Sequence, residues 1–171
     1  MKKTTILFFS ITFFSSFFSE YLLAQKCNFE INGKDEFTGK VRKLTKDRLK
    51  PEFFLELEKS EENYFFRLIF PYTGALDEGV PKGTEVLLKL SNEEVLKTYT
   101  LDDHIPSKQV YVNGFISSVI MNCKVSKDEI SQLSKNSISK IRMTLGGKEF
   151  TIDISEGKGA NIKNSANCIL P

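Results

Sequence analysis

Two pairs of segments in this chain alternate apolar with polar residues, and each pair is joined by a run suited to turning back. Alternation of period two on both sides of a turn dictates antiparallel hairpins with one buried face, so this pattern constrains the fold before any other feature does. In the first pair, Phe53, Leu55 and Leu57 share one face, and Tyr64, Phe66, Leu68 and Phe70 share the next. The polar run Lys59-Ser60-Glu61-Glu62-Asn63 separates them and reads as a hairpin loop. One register sets Phe53 opposite Phe70 and Leu57 opposite Phe66, and it sets Glu56 opposite Arg67 on the other face. In the second pair, a strand over 138–145 meets Phe150, Ile152 and Ile154 across Gly146-Gly147. Two glycines supply the positive φ angles of a two-residue hairpin turn. The register then pairs Met143 with Phe150, Ile141 with Ile152, and Lys140 with Asp153.

Weaker signals fill in the rest. Val86, Leu88 and Leu90, a turn at Asn92-Glu93, then Val95, Tyr99 and Leu101 predict a further hairpin. The stretch 110–125 is β-rich but long for one strand, so Gly114 or Ser117-Ser118 is expected to bend or divide it. Ser126-Lys127-Asp128-Glu129 matches a capping box and opens a helix over about 127–135. Ile162, Ala166 and Ile169 suggest a C-terminal helix, against the grain of its Asn and Ser content. The fold class predicted is α+β, mainly antiparallel sheet built from hairpins. The run Pro71, Gly74, Gly79, Pro81, Gly83 is the best candidate boundary, but neither side is large enough to stand alone, so residues 25–171 are expected to form a single domain.

Residues 1–24 read as a signal peptide. Lys2 and Lys3 precede an uncharged, Phe-rich stretch over 6–18, and Ala24 supplies a small residue before Gln25. The stretch is short and broken by Ser10, Thr12, Ser15 and Ser16, which disfavours a membrane anchor. Cys27 lies close downstream, but Lys26 precedes it, where lipidation needs a small residue. The expected location is therefore periplasmic or secreted, with no membrane span after cleavage. Six of the 15 phenylalanines fall in this leader, so the remaining chain is less aromatic than its composition suggests.

Charge and composition exclude several function classes. Removing Lys2, Lys3 and Glu20 from the 24 basic and 22 acidic residues leaves 22 and 21, a balance that argues against nucleic-acid binding. One histidine and three cysteines cannot furnish a multi-histidine or multi-cysteine metal site, and no cofactor is expected. Neither a nucleophile elbow nor a phosphate-binding glycine loop occurs. Asp102-Asp103-His104 is the most suggestive polar cluster, but neighbours on a strand point apart, and a solvated loop before Pro106 is the expected reading. Cys123 with His104 would make a thiol and its base. Cys123, however, alternates in step with Val119, Met121 and Val125, which puts it on an apolar face as a buried structural thiol. Lys40, Arg42, Lys43, Lys46, Arg48 and Lys50 form a basic run directly before Glu52, Glu56, Glu58, Glu61 and Glu62. The two runs are expected to neutralise each other across neighbouring strands, with lysine guarding a sheet edge.

Three cysteines in an oxidising compartment allow three pairings. With Cys123 assigned to the apolar face, Cys27 and Cys168 remain near the two ends of the domain, which often lie close together. A Cys27–Cys168 disulfide is expected, and Cys123–Cys168 stays open if the last segment packs beside the strand before the capped helix.

The opening Cys27-Asn28-Phe29-Glu30-Ile31-Asn32 with Asp35-Glu36-Phe37-Thr38-Gly39 resembles the start of small uncharacterised exported proteins of Bacteroidetes-type bacteria. The helix from Ser126 to Leu133, then Ile141-Arg142, then Cys168 near the end, follow the same order. The resemblance implies export and one small domain, and carries no activity.

By exclusion, the sequence points to a non-catalytic exported binding or interaction module, whose partner is a protein, a glycan or a small apolar ligand. A small hydrolase with dispersed acidic residues, or a carrier of a hydrophobic ligand, are the alternatives. A deep cavity lined by Phe54, Phe65 or Phe115 favours the carrier. Convergent acids in a cleft favour the hydrolase. A flat exposed sheet or apolar patch favours the interaction module.

Overall fold

The computed structural model describes residues 27–74, 76, 78–111 and 114–171, so the expected signal peptide lies outside the described residues. Among the described residues, strands and helices follow in the order β1 (Phe29–Lys34), β2 (Val41–Lys50), β3 (Phe53–Ser60), β4 (Asn63–Thr73), β5 (Glu85–Leu90), β6 (Val95–Tyr99), β7 (Ser107–Tyr111), β8 (Gly114–Val125), α1 (Lys127–Lys135), β9 (Ile138–Leu145), β10 (Lys148–Asp153) and α2 (Glu156–Ile169). The fold is α+β, and every strand pairing among the described residues is antiparallel. The strands form two sheets, of order β1-β2-β3-β4-β8-β7 and β10-β9-β5-β6.

The hairpin register read from the first alternating pair is observed, with Glu56 opposite Arg67 and Leu57 opposite Phe66. The strands run further than expected, because β3 ends at Ser60 and β4 begins at Asn63. Only Glu61 and Glu62 are left to turn, and Glu61 takes a φ of 55°. The second register is also observed, from Met143 opposite Phe150 to Lys140 opposite Asp153. Gly146 and Gly147 take φ values of 54° and 73°. This is the left-handed conformation that such a turn requires.

The third hairpin also forms, with β5 paired to β6. Val95 and Tyr99 are exposed, and Thr98 and Thr100 are buried in their place. Thr98 can turn inward because its hydroxyl donates to Lys124 O at 3.3 Å. Its burial therefore leaves no donor without a partner. The stretch 110–125 divides before Gly114, while Ser117 and Ser118 stay within β8. Buried Ser117 is tolerated because its Oγ donates to Gly74 O at 2.8 Å.

Both sheets contribute to one core. Leu55, Leu57, Phe66, Leu68, Phe70 and Met121 from the first meet Val86, Leu88, Ile141, Met143 and Ile152 from the second. Phe70 stacks on Phe53 at 5.0 Å and on Phe150 at 5.8 Å, so one ring column joins the two sheets. Each such side chain contributes about 1.5–3 kcal/mol on full burial. The helices add Ile130, Leu133, Ile162, Ala166 and Ile169. In α1 the capping box forms, with Ser126 Oγ accepting from Glu129 N at 3.1 Å and Glu129 Oε2 accepting from Ser126 N at 2.6 Å. In α2, Gly159 lies so close to β9 that a Cβ there would stand 2.6 Å from Ile138 O. Glycine is the residue that lets this helix dock.

Cys27 and Cys168 form a disulfide, with Cα atoms 5.6 Å apart. It fastens the start of β1 to the last turn of α2. Among the described residues no helix is long and apolar enough to cross a membrane.

Candidate functional site

The basic run before Glu52 folds as β2, between β1 and β3, so its lysines do not guard a sheet edge as expected. Alternation sends Arg42 and Lys46 to the outer face of the six-stranded sheet, where they stand opposite Ser60 and Glu56 of β3. Arg67 joins them from β4. The expected neutralisation across strands then takes a specific form. Glu58 Oε1 accepts from Arg42 Nε at 2.8 Å, and Glu56 Oε2 accepts from Arg67 Nη1 at 2.9 Å. Lys46 Nζ lies 3.4 Å from Glu56 Oε1, and Arg67 Nη2 lies 3.6 Å from Glu58 Oε2. Both glutamates are buried even though they are on an outer face. Their four carboxylate oxygens all face cations, which is what permits that burial.

Apolar residues flank this lattice. Phe54, Ile69 and Ile120 stand side by side on β3, β4 and β8. The Lys46 ammonium sits 4.6 Å from the centre of the Phe54 ring. A depression of about 230 Å³ is lined by Arg42, Glu58, Ser60, Phe65, Arg67 and Asn122. Asn122 Oδ1 is buried there with no hydrogen-bond partner among the described residues. A second depression of about 230 Å³ holds Ile69, Pro71, Ile116 and Ser118. Phe54 and Phe65 thus belong to an open face, and Phe115 extends from the opposite side of the sheet beside Val110.

The outer face of the four-stranded sheet has a groove of about 300 Å³, lined by Leu87, Lys89, Glu93, Val95, Lys140, Arg142 and Thr151. None of these is singled out as a site by the sequence. Their signal is their parity, since most are the outward residues between buried Leu88, Leu90, Ile141 and Met143.

The other candidate residues make contacts within the fold. His104 exchanges two backbone hydrogen bonds with Val80, at 2.8 and 2.9 Å, and its Nε2 lies 3.3 Å from Ser118 O. Asp103 Oδ1 accepts from Lys82 N at 2.7 Å. The Asp102-Asp103-His104 loop therefore ties down the chain before β5, and His104 points toward backbone rather than toward a thiol. Cys123 is a free, buried cysteine, in keeping with its alternation. Burial pushes its thiol up to about 11, against a smaller opposing effect of a hydrogen bond with Thr98. Burial thus favours the protonated thiol over the thiolate. Among the described residues no group of three or more His, Cys, Asp or Glu side chains is arranged to hold a metal ion.

One further carboxylate is unusual. Asp47 of β2 points to the side covered by α2, where burial raises its pKa, opposed by a hydrogen bond with Ser165 and the charge of Lys158. Its Oδ2 is buried without a hydrogen-bond partner among the described residues.

Comparison with protein-family models, curated proteins and solved structures gives no match to this chain.

Proposed function

We propose that the protein is a non-catalytic exported module, periplasmic or secreted, that docks a partner protein on the outer face of its six-stranded sheet. The observation that carries this reading is the saturation of charge on that face. Glu56 and Glu58 have cations on all four carboxylate oxygens, while Phe54, Ile69, Ile116 and Ile120 beside them remain partly open to solvent. A face whose ions are already paired, with apolar ground around them, sheds water at low cost against another protein. The same pairing speaks against the hydrolase reading, because a general acid or base needs a carboxyl that is free to exchange its proton with substrate. The carrier reading loses its support because Phe65 borders a shallow open depression, Phe54 stands on the same outer face, and Phe115 is on the other side. The Cys27–Cys168 disulfide supports an oxidising compartment, and with it the reading of residues 1–24 as an export signal.

A photo-crosslinking residue at position 120, compared with one at exposed position 161 on α2, tests the reading in the native compartment. The expected result is a discrete adduct from position 120 alone, lost when Ile116→Asp is added to a protein that still folds. Equal adducts from both positions, or none from either, would count against it.

A further inference from the structure

We infer that the outer face of the four-stranded sheet is a binding site for a small organic polyanion, separate from the protein-docking face proposed above. Three observations converge on it. First, the cations are central. Lys89 and Lys140 are direct cross-strand partners on β5 and β9, and Arg142 lies one outward position along β9 from Lys140. Like charges directly opposite each other destabilise a sheet, so this pair is held at a cost that a bound anion would relieve. Second, the acids that pair with these cations stand at the rim. Lys89 meets Glu93 in the β5–β6 turn at 2.5 Å, while Lys140 meets Asp153 at 2.7 Å and Arg142 meets Glu149 at 3.4 Å, both on the edge strand β10. The side chains of Glu93 and Asp153 are 79% and 77% exposed. These are surface ion pairs of the weak kind, and a ligand displaces them at little cost. Third, the cations enclose a shape. The groove has an apolar floor of Leu87 and Val95, a hydroxyl from Thr151 and a volume of about 300 Å³. That volume is at the small end of ligand sites.

The combination specifies the occupant. Two ammonium groups and one guanidinium call for at least two negative groups on one molecule, since Lys supplies point charges and Arg a planar fork for carboxylate or phosphate. The apolar floor calls for a carbon body between them. A bare inorganic ion would leave Leu87 and Val95 uncovered.

Calorimetric titration of the folded, oxidised protein with citrate, fructose 1,6-bisphosphate and inorganic sulfate tests this. Saturable one-to-one binding of citrate identifies a polycarboxylate site, and tighter binding of the bisphosphate identifies a phosphate-ester site. Either supports the proposal when the affinity falls about tenfold in both Lys140→Met and Arg142→Met, the loss expected from one charged hydrogen bond, and is unchanged in Lys135→Met on α1. Thermal melts of the variants establish that they fold. The proposal is overturned if neither organic anion saturates, if sulfate binds as tightly as both, if the two variants bind like the parent, or if only long polyanions such as poly-glutamate bind. A failed crosslink at position 120 leaves this result untouched, because the two faces are on different sheets.

Discussion

On the outer face of the six-stranded sheet, two carboxylates sit in the middle and three cations surround them. On the four-stranded sheet the cations Lys89, Lys140 and Arg142 hold the two central strands, and the acids paired with these three stand in the β5–β6 turn and on the edge strand β10. The difference follows from side-chain anatomy. A glutamate on a packed sheet cannot lift its charge far from the surface, so a central glutamate becomes buried and must be paired on all sides. Lysine and arginine cover apolar ground with their stems and keep the charge in water, so a central cation stays accessible. The first arrangement produces a closed, self-satisfied surface, and the second leaves charge available to a ligand.

Replacing Arg67 by Met is the severest way to break this comparison. It takes the central cation from both Glu56 and Glu58, whose side chains are only 8% and 10% exposed. The expected loss is about 1–3 kcal/mol. That is less than for a fully buried pair, because Arg67 itself keeps 30% of its side-chain exposure. Denaturant unfolding measures it, and a loss within error of zero would mean that the lattice is not what permits the two glutamates to be buried.

Asp47 sharpens the comparison from a different side, since it is a carboxylate that is largely buried but lacks a lattice. Its pKa is raised in the folded state, so folding holds its proton more tightly than the unfolded chain does. Its contribution favours the native state at low pH and is lost as pH rises above the ordinary Asp value of about 4. Asp47→Asn is therefore expected to stabilise the protein at pH 7 by no more than about 1 kcal/mol, the size of a single net hydrogen bond. The gain over the parent should shrink as pH falls through the carboxylate range. A gain that grows on acidification would reverse the assignment.

Lys89→Met, at the cation-centred face, should produce the smallest change. It removes one of two directly opposed ammonium groups and one exposed ion pair, and these effects nearly cancel. The expected shift is within about 0.5 kcal/mol of zero, slightly stabilising at low salt and vanishing at high salt. Thermal melts over a range of ionic strength follow it, and a loss as large as that of Arg67→Met would erase the distinction between the two faces.

The legible parts of the fold are those where local pattern and tertiary environment agree. Leu55, Leu57, Phe66 and Leu68 alternate because one face is core, and Gly146-Gly147 turns because glycine is free to do so. Ser126 and Glu129 announce α1 through a contact three residues long. The strands β1 and β2 carry no such signal. Thr45 and Asp47 face inward and Arg42 and Lys46 outward, so β2 has no apolar stripe, and its place depends on glutamates from β3 and on the cover of α2. The division into two sheets is equally hidden, because it rests on β5 pairing with β9 across β6, β7, β8 and α1. The candidate groove is hidden with it, since Lys89 and Lys140 become neighbours only once that pairing exists. Thr98 shows the converse, a polar residue that the core accepts because a carbonyl of β8 awaits its hydroxyl.

The Cys27–Cys168 bond has a mechanical consequence. It short-circuits a sequence separation of 141 residues. Tension applied through the chain on either side of the two cysteines passes across the sulfur bridge and bypasses the strands between them. The hydrogen-bond ladders of both sheets then bear none of the load, and the oxidised protein behaves as an inextensible link. Reduction of that single bond would turn the link into an elastic one, with β1 and α2 as the first elements to be peeled away.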